Sequence, residues 1–102
     1  MKQFYLIFCF LIFSFSYGQS TQSKGEIDGF SMYPNPVTTG KVYISTSTND
    51  AKEILIYDVL GTLVLKTTIL RKELNVGDLD AGVYVLRVFE KDRVATRKLI
   101  IK

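Results

Sequence analysis

The chain contains no histidine, and its single cysteine, Cys9, lies in an apolar run near the start. Without histidine there is no Ser-His or Cys-His nucleophile pair. With one cysteine besides, a His- or Cys-based zinc site is excluded. No disulfide can close within the chain, so the core must hold the fold unaided. Proline is scarce too: both copies, Pro34 and Pro36, fall in one tripeptide. Charge of one sign is not in excess, since 13 Lys and Arg face 10 Asp and Glu for a formal +3. That balance is too even for a nucleic-acid footprint, and no basic face with stacking aromatics stands out. At 102 residues there is room for one domain.

What is present begins with a targeting segment. Met1-Lys2-Gln3 is a short positive start, and residues 4–15 are almost wholly apolar, broken only by Ser14. Ser16-Tyr17-Gly18 then places small residues at the −3 and −1 positions before Gln19. These are the three parts of a secretory signal peptide over residues 1–18, with cleavage expected between Gly18 and Gln19. The apolar run is shorter than the roughly 20 residues of a membrane span, and an uncleaved anchor is the alternative. Cys9 lies too early to be the lipid-bearing cysteine of a lipoprotein. Residues 19–28 are polar and read as a flexible leader, which leaves residues 29–102 as the folded domain.

The rest alternates. Residues 29–33 form a short strand that must stop at Tyr33-Pro34-Asn35-Pro36, because two prolines remove two backbone donors and fix φ at both. Tyr33 and Asn35 each precede a proline and are pushed out of the helical region. Such a segment is a rigid turn at a sheet edge, or a plain strand terminator. Strands follow over residues 41–46, 52–58, 62–67, 72–76, 82–90 and 93–101. Asp58-Val59-Leu60-Gly61 is expected to form a type I turn closed by glycine, and Lys91-Asp92 a hairpin with Asp92 at positive φ. About seven short strands, turns every eight to twelve residues and no helical period predict an all-β, immunoglobulin-like Greek-key sandwich of antiparallel strands.

The sandwich centres on Asp78-Leu79-Asp80-Ala81-Gly82-Val83-Tyr84-Val85-Leu86. Gly82 can take the positive φ that a corner between strands often needs. Tyr84, Leu86 and Val88 share one face by the period of two. Leu79 and Gly82 precede Tyr84 at the spacing of a tyrosine corner, in which the phenol packs inward and its hydroxyl reaches back to upstream backbone. An ordinary passage from loop to strand with a buried tyrosine has the same spacing. If Tyr84 and Leu86 point in, Val83, Val85 and Phe89 point out; if Ile54 and Ile56 point in, Leu55 and Tyr57 point out. One outer face is therefore expected to be unusually apolar, as a docking surface or because such residues simply suit strands. In Lys98-Leu99-Ile100-Ile101-Lys102, inward Leu99 and Ile101 would leave Ile100 outside between two lysines, as a recognition patch or as part of a strand that merely closes the core.

Four segments occur in one order: Tyr33-Pro34-Asn35-Pro36, Ile56-Tyr57-Asp58-Val59-Leu60-Gly61, Leu79 to Leu86 with Gly82 and Tyr84, and Lys98 to Lys102 at the end. Together they resemble the type A C-terminal sorting domain of the type IX secretion system, over about Met32 to Lys102. No single segment is specific; the ordered set behind a signal peptide is. The resemblance implies a secretion address without catalytic activity or cofactor. Residues 1–18 would meet the Sec machinery and signal peptidase. The sandwich would then be recognised by an outer-membrane translocon and, in many such proteins, removed by a sortase-like peptidase. The protein would be released, or held on the surface of a Gram-negative bacterium after crossing the periplasm. Gly82 and Tyr84 would belong to the fold motif, and Lys98, Leu99, Ile100, Ile101 and Lys102 to the terminal signal.

The sequence departs from that pattern where Asp80 or Ala81 replaces a proline usual before the Gly-x-Tyr, and where Lys91-Asp92-Arg93 lacks the glycine common in the last hairpin. Only about ten residues separate the expected cut from the first strand, so no cargo domain stands between them. A stand-alone secreted mini-protein and a fragment both fit. The alternative function is a small secreted sandwich that binds glycan or a surface protein through its apolar face; an exposed aromatic platform would favour it, with Tyr43 and Tyr57 as candidates. For an enzyme, the closest carboxylate pair is Asp78 and Asp80. That pair sits in turn sequence, where Asp bonds its own backbone, and supplies few of the six to eight oxygens of a Ca²⁺ site.

Overall fold

Alternating apolar and polar residues settle into two facing sheets in a computed structural model, which describes residues 25–102. The signal peptide, its Gly18–Gln19 cut, Cys9 and the first part of the leader lie outside the described residues. The strands are β1 (Ser31–Tyr33), β2 (Lys41–Ser45), β3 (Lys52–Tyr57), β4 (Leu63–Ile69), β5 (Glu73–Asn75), β6 (Gly82–Glu90) and β7 (Arg93–Ile101). One sheet has the order β1-β2-β5 and the other β4-β3-β6-β7. Every strand pairing is antiparallel. The chain changes sheet between β2 and β3, between β4 and β5, and between β5 and β6. The fold is the expected immunoglobulin-like sandwich, with seven strands and no helix among the described residues.

The period of two builds the core directly. Val42 and Ile44 of β2, Ile54 and Ile56 of β3, Leu74 of β5, Leu86 and Val88 of β6 and Leu99 of β7 are all at most 1% exposed. Withdrawing each such side chain from water is worth about 1.5–3 kcal/mol. The β3–β4 turn forms as its residues require. The Asp58 carbonyl accepts the Gly61 amide at 3.0 Å, and the Asp58 carboxylate accepts the amides of Leu60 and Thr62, both at 2.9 Å. Gly61 has φ of 83°, a value that a side chain disfavours.

Two turn expectations are corrected. Gly82 does not take positive φ; it opens β6 in extended conformation, paired with Ile101. A Cβ there would meet the Tyr84 ring at 3.7 Å, an ordinary contact, so neither backbone angle nor space demands glycine at this position. In the last hairpin Lys91, not Asp92, has positive φ, at 54°. The tight turns that follow strand twist need positive φ first at their first loop residue, and Lys91 occupies that place. Residues 25–28, read from composition as part of a flexible leader, pack on the sandwich. Ile27 is buried in the core cluster, and the Asp28 carbonyl accepts the Ser47 amide at 3.0 Å, prolonging the β1–β2 pairing.

Candidate functional site: the clamped terminal strand

β7 is the outer strand of the four-stranded sheet, so one of its sides would present unpaired amides and carbonyls. The Pro-Asn-Pro corner closes that side. After β1 stops at Tyr33, the chain crosses to β7, and the Asn35 amide grips it with both ends. Asn35 Nδ2 donates to the Lys98 carbonyl at 2.8 Å, and its Oδ1 accepts the Ile100 amide at 3.0 Å. Val37 follows as a one-residue parallel strand opposite Ile101: its amide donates to the Ile100 carbonyl at 2.7 Å, and its carbonyl accepts the Lys102 amide at 2.9 Å. Val37 is fully buried, which fixes the clamp to the core. At the other end of the strand, the Gly25 carbonyl accepts the Val94 amide at 3.2 Å. Arg97 reaches the Glu26 carboxylate at 2.9 Å and lies over the Phe30 ring at 4.7 Å.

The terminal pentapeptide is thus divided by the sheet. Leu99 and Ile101 enter the core, while Lys98 and Lys102 are exposed and Ile100 is half-buried on the outer face. Gly82 pairs with Ile101, Val83 with Ile100 and Tyr84 with Leu99, so the Gly-x-Tyr motif and the terminal motif are direct neighbours. Tyr84 is buried and its hydroxyl donates to the Asp80 carbonyl at 2.6 Å, the geometry of a tyrosine corner. Leu79 is half-buried against the core cluster. By register, the turn containing Gly61 lies at this same end of the sheet.

The outer face of the four-stranded sheet is apolar, as its alternation implies. Val83 and Val85 of β6 are 44% and 41% exposed. Register sets Tyr57 beside Val85 and Val85 beside Lys98, with Leu55 between Lys66 and Arg87 in the next row. Tyr43 and Tyr57 do not form one platform. Tyr43 lies on the other sheet and stacks on Tyr33 with ring centroids 5.7 Å apart. Asp78 and Asp80 are both exposed, and among the described residues no group of three His, Cys, Asp or Glu side chains could hold a metal ion.

A buried polar cluster at the opposite end of the sheet went unnoticed in the sequence. Lys52 Nζ lies 3.2 Å from Glu90 Oε2 and donates to the Asp50 carbonyl at 2.8 Å. Thr46 Oγ1 donates to Glu90 Oε2 at 2.6 Å, and Thr48 Oγ1 to Oε1 at 3.2 Å. Burial by itself pushes the Glu90 carboxyl upward. The hydrogen bonds from Thr46, Lys52 and Thr48, with the Lys52 charge, outweigh it and hold the carboxyl below its ordinary 4.5. The signal was there in parity: Lys52 falls on the inward side with Ile54 and Ile56, and Glu90 with Leu86 and Val88.

The arrangement defines a β-sandwich that presents a fixed terminal strand. The family model of the secretion system C-terminal sorting domain matches residues 31–102, and the chain belongs to that family. It carries a C-terminal sorting signal for type IX secretion. Among curated proteins none matches the chain. A solved structure of PorZ, described as an essential bacterial surface component of the type IX secretion system of Porphyromonas gingivalis, is similar at a TM-score of 0.54 and 21% identity. The match covers 72% of this chain and 11% of PorZ, so the chain spans about a tenth of that protein. That likeness shows the fold. Membership of the family implies export to the cell surface, or secretion, from a Gram-negative bacterium, and sorting domains of this kind are generally non-catalytic.

Proposed function

We propose that the outer-membrane type IX translocon reads the terminal strand, with Lys98, Ile100 and Lys102 as the side chains it meets, and that the domain has no catalytic activity of its own. The observation that carries this reading is the clamp of Asn35 and Val37 on residues 98–102. It joins the two ends of the family's pattern and holds the exposed lysines at a fixed place on a folded surface. Residues 1–18 act earlier, taking the chain through the Sec machinery into the periplasm, with signal peptidase cutting between Gly18 and Gln19. Residues 19–24 join that cut to the sandwich, which begins by residue 25 rather than 29. They are where a sortase-like peptidase would cut after export.

Deleting residues 98–102 would not test this, because Leu99 and Ile101 are in the core and each lost side chain costs about 2–5 kcal/mol. Exposed changes do. A fluorescent reporter is inserted between Lys24 and Gly25 of the full chain and expressed with and without the type IX translocon. The reporter is expected outside the cell only where the translocon is present. The pair Lys98→Glu and Lys102→Glu is expected to leave it in the periplasm with an unchanged melting temperature. Export of the charge-reversed pair at the wild-type level would refute the reading of the lysines.

A further inference from the structure

The way the terminal strand is closed restricts how a partner can read it. An edge strand is commonly recognised by strand addition, in which a partner's backbone pairs along the free side. On β7 that side is occupied by Asn35 and Val37 at one end and by Gly25 at the other. Arg97 Nη1 also takes the Thr96 carbonyl, at 2.8 Å. A partner therefore meets side chains, and those that point away from the core belong to the outer face of the whole four-stranded sheet. Its centre is apolar: Val83, Val85 and the half-buried Leu55, Tyr57 and Ile100. Its margin is cationic. Lys98 flanks Val85 on one side, and Lys66 flanks Leu55 about 14 Å away across three strand spacings. Arg87 lies between them over the Phe89 ring at 5.1 Å. One carboxylate, Glu53, shares the face, in the row farthest from the chain terminus.

We infer that this face, and not the terminal strand alone, is the docking surface for the export partner, and that the partner is a protein offering an apolar contact rimmed by carboxylates. The inference rests on the sorting reading above. Charge carries the choice of partner. Three cations around an apolar centre, against one carboxylate in the row next to Lys66 and Arg87, leave the face net positive and complementary to an acidic rim, and complementary potentials set register and encounter. The apolar centre calls for a shaped protein surface. A purely anionic surface such as lipopolysaccharide would be held by the cations alone.

The reporter-bearing full chain tests the face with substitutions outside residues 98–102. Val83→Thr with Val85→Thr keeps β-branched side chains at exposed strand positions, and Lys66→Glu reverses a charge on the strand farthest from β7. Each is expected to lower the exported fraction about tenfold, the scale of losing a central interface contact, at unchanged melting temperature. Lys41→Glu and Tyr43→Thr on the opposite sheet are expected to leave export unchanged. Because the valine pair could unfold the domain, a photoreactive amino acid in place of Val85 in the otherwise natural chain supplies a second reading. It is expected to crosslink to an outer-membrane component of the secretion system, at a segment rich in Asp and Glu. Wild-type export with folded, fully exported face variants would overturn this inference and leave the sorting reading intact. Failure of the wild-type chain itself to leave the cell would remove both. Flotation of the purified chain with lipopolysaccharide vesicles, lost in Lys66→Glu but unaffected by the valine pair, would assign the face to the membrane and overturn the protein partner.

Discussion

Tyr84, Gly82 and Gly61 show how little of a residue's role is contained in its name. Tyr84 spends its hydroxyl on the Asp80 carbonyl, so Tyr84→Phe removes one neutral hydrogen bond and is expected to cost about 0.5–1.5 kcal/mol in urea unfolding. Gly82 and Gly61 should separate sharply. A Cβ at Gly82 meets only ordinary contact and φ is not positive there, so Gly82→Ala is expected to be near neutral. Gly61 has open space around it but φ of 83°, so Gly61→Ala is expected to cost about 1–2 kcal/mol from backbone strain alone. Equal melting midpoints for the two alanine variants would contradict that assignment. At Glu90 the folded carboxyl is held below 4.5, so its stabilising contribution is complete above that pH and is lost as pH falls through the depressed value. Thermal melts should therefore weaken on acidification below about pH 4.5. Lys52→Met should raise the Glu90 carboxyl and shrink that component to what the Thr46 and Thr48 hydrogen bonds supply, at a cost of about 3–5 kcal/mol for leaving a buried charge without its counter-charge.

At the scale of elements, the strands were legible and the clamp was not. Turn residues and the period of two are local signals, and they located all seven strands and the apolar outer face. The Asn35 bonds to Lys98 and Ile100 join residues more than sixty positions apart, and nothing local to either segment announces the other. Only the two prolines hinted at it, since a segment that cannot continue a strand must go elsewhere. Ile27 was lost in a polar stretch because one apolar residue has no period, and Lys52 was hidden because its class is almost never buried without a partner. Asn35→Ala tests the clamp as an element: it leaves the Lys98 carbonyl and the Ile100 amide without their partner. Hydrogen exchange at Ile100 is expected to accelerate while Leu86 and Val88 amides keep their protection. Unchanged protection at Ile100 would show that Val37 alone fixes the strand.

For the whole molecule, one sandwich does two things with its last strand. Alternate residues complete a core that no disulfide supports, and the residues between them face outward, where the proposed function places the address. A domain of this size has stability on the order of 5 kcal/mol, so folding and signalling share the same few residues and must be measured apart. The exported fraction of the Asn35→Ala reporter chain, in cells with the translocon and with folding checked by circular dichroism, tests the central claim most directly. If the signal is the strand as the clamp presents it, export falls although Lys98, Leu99, Ile100, Ile101 and Lys102 are all intact. Export at the wild-type level, with the Ile100 amide exchanging freely, would show that the pentapeptide is read as a loose tail and would contradict the account.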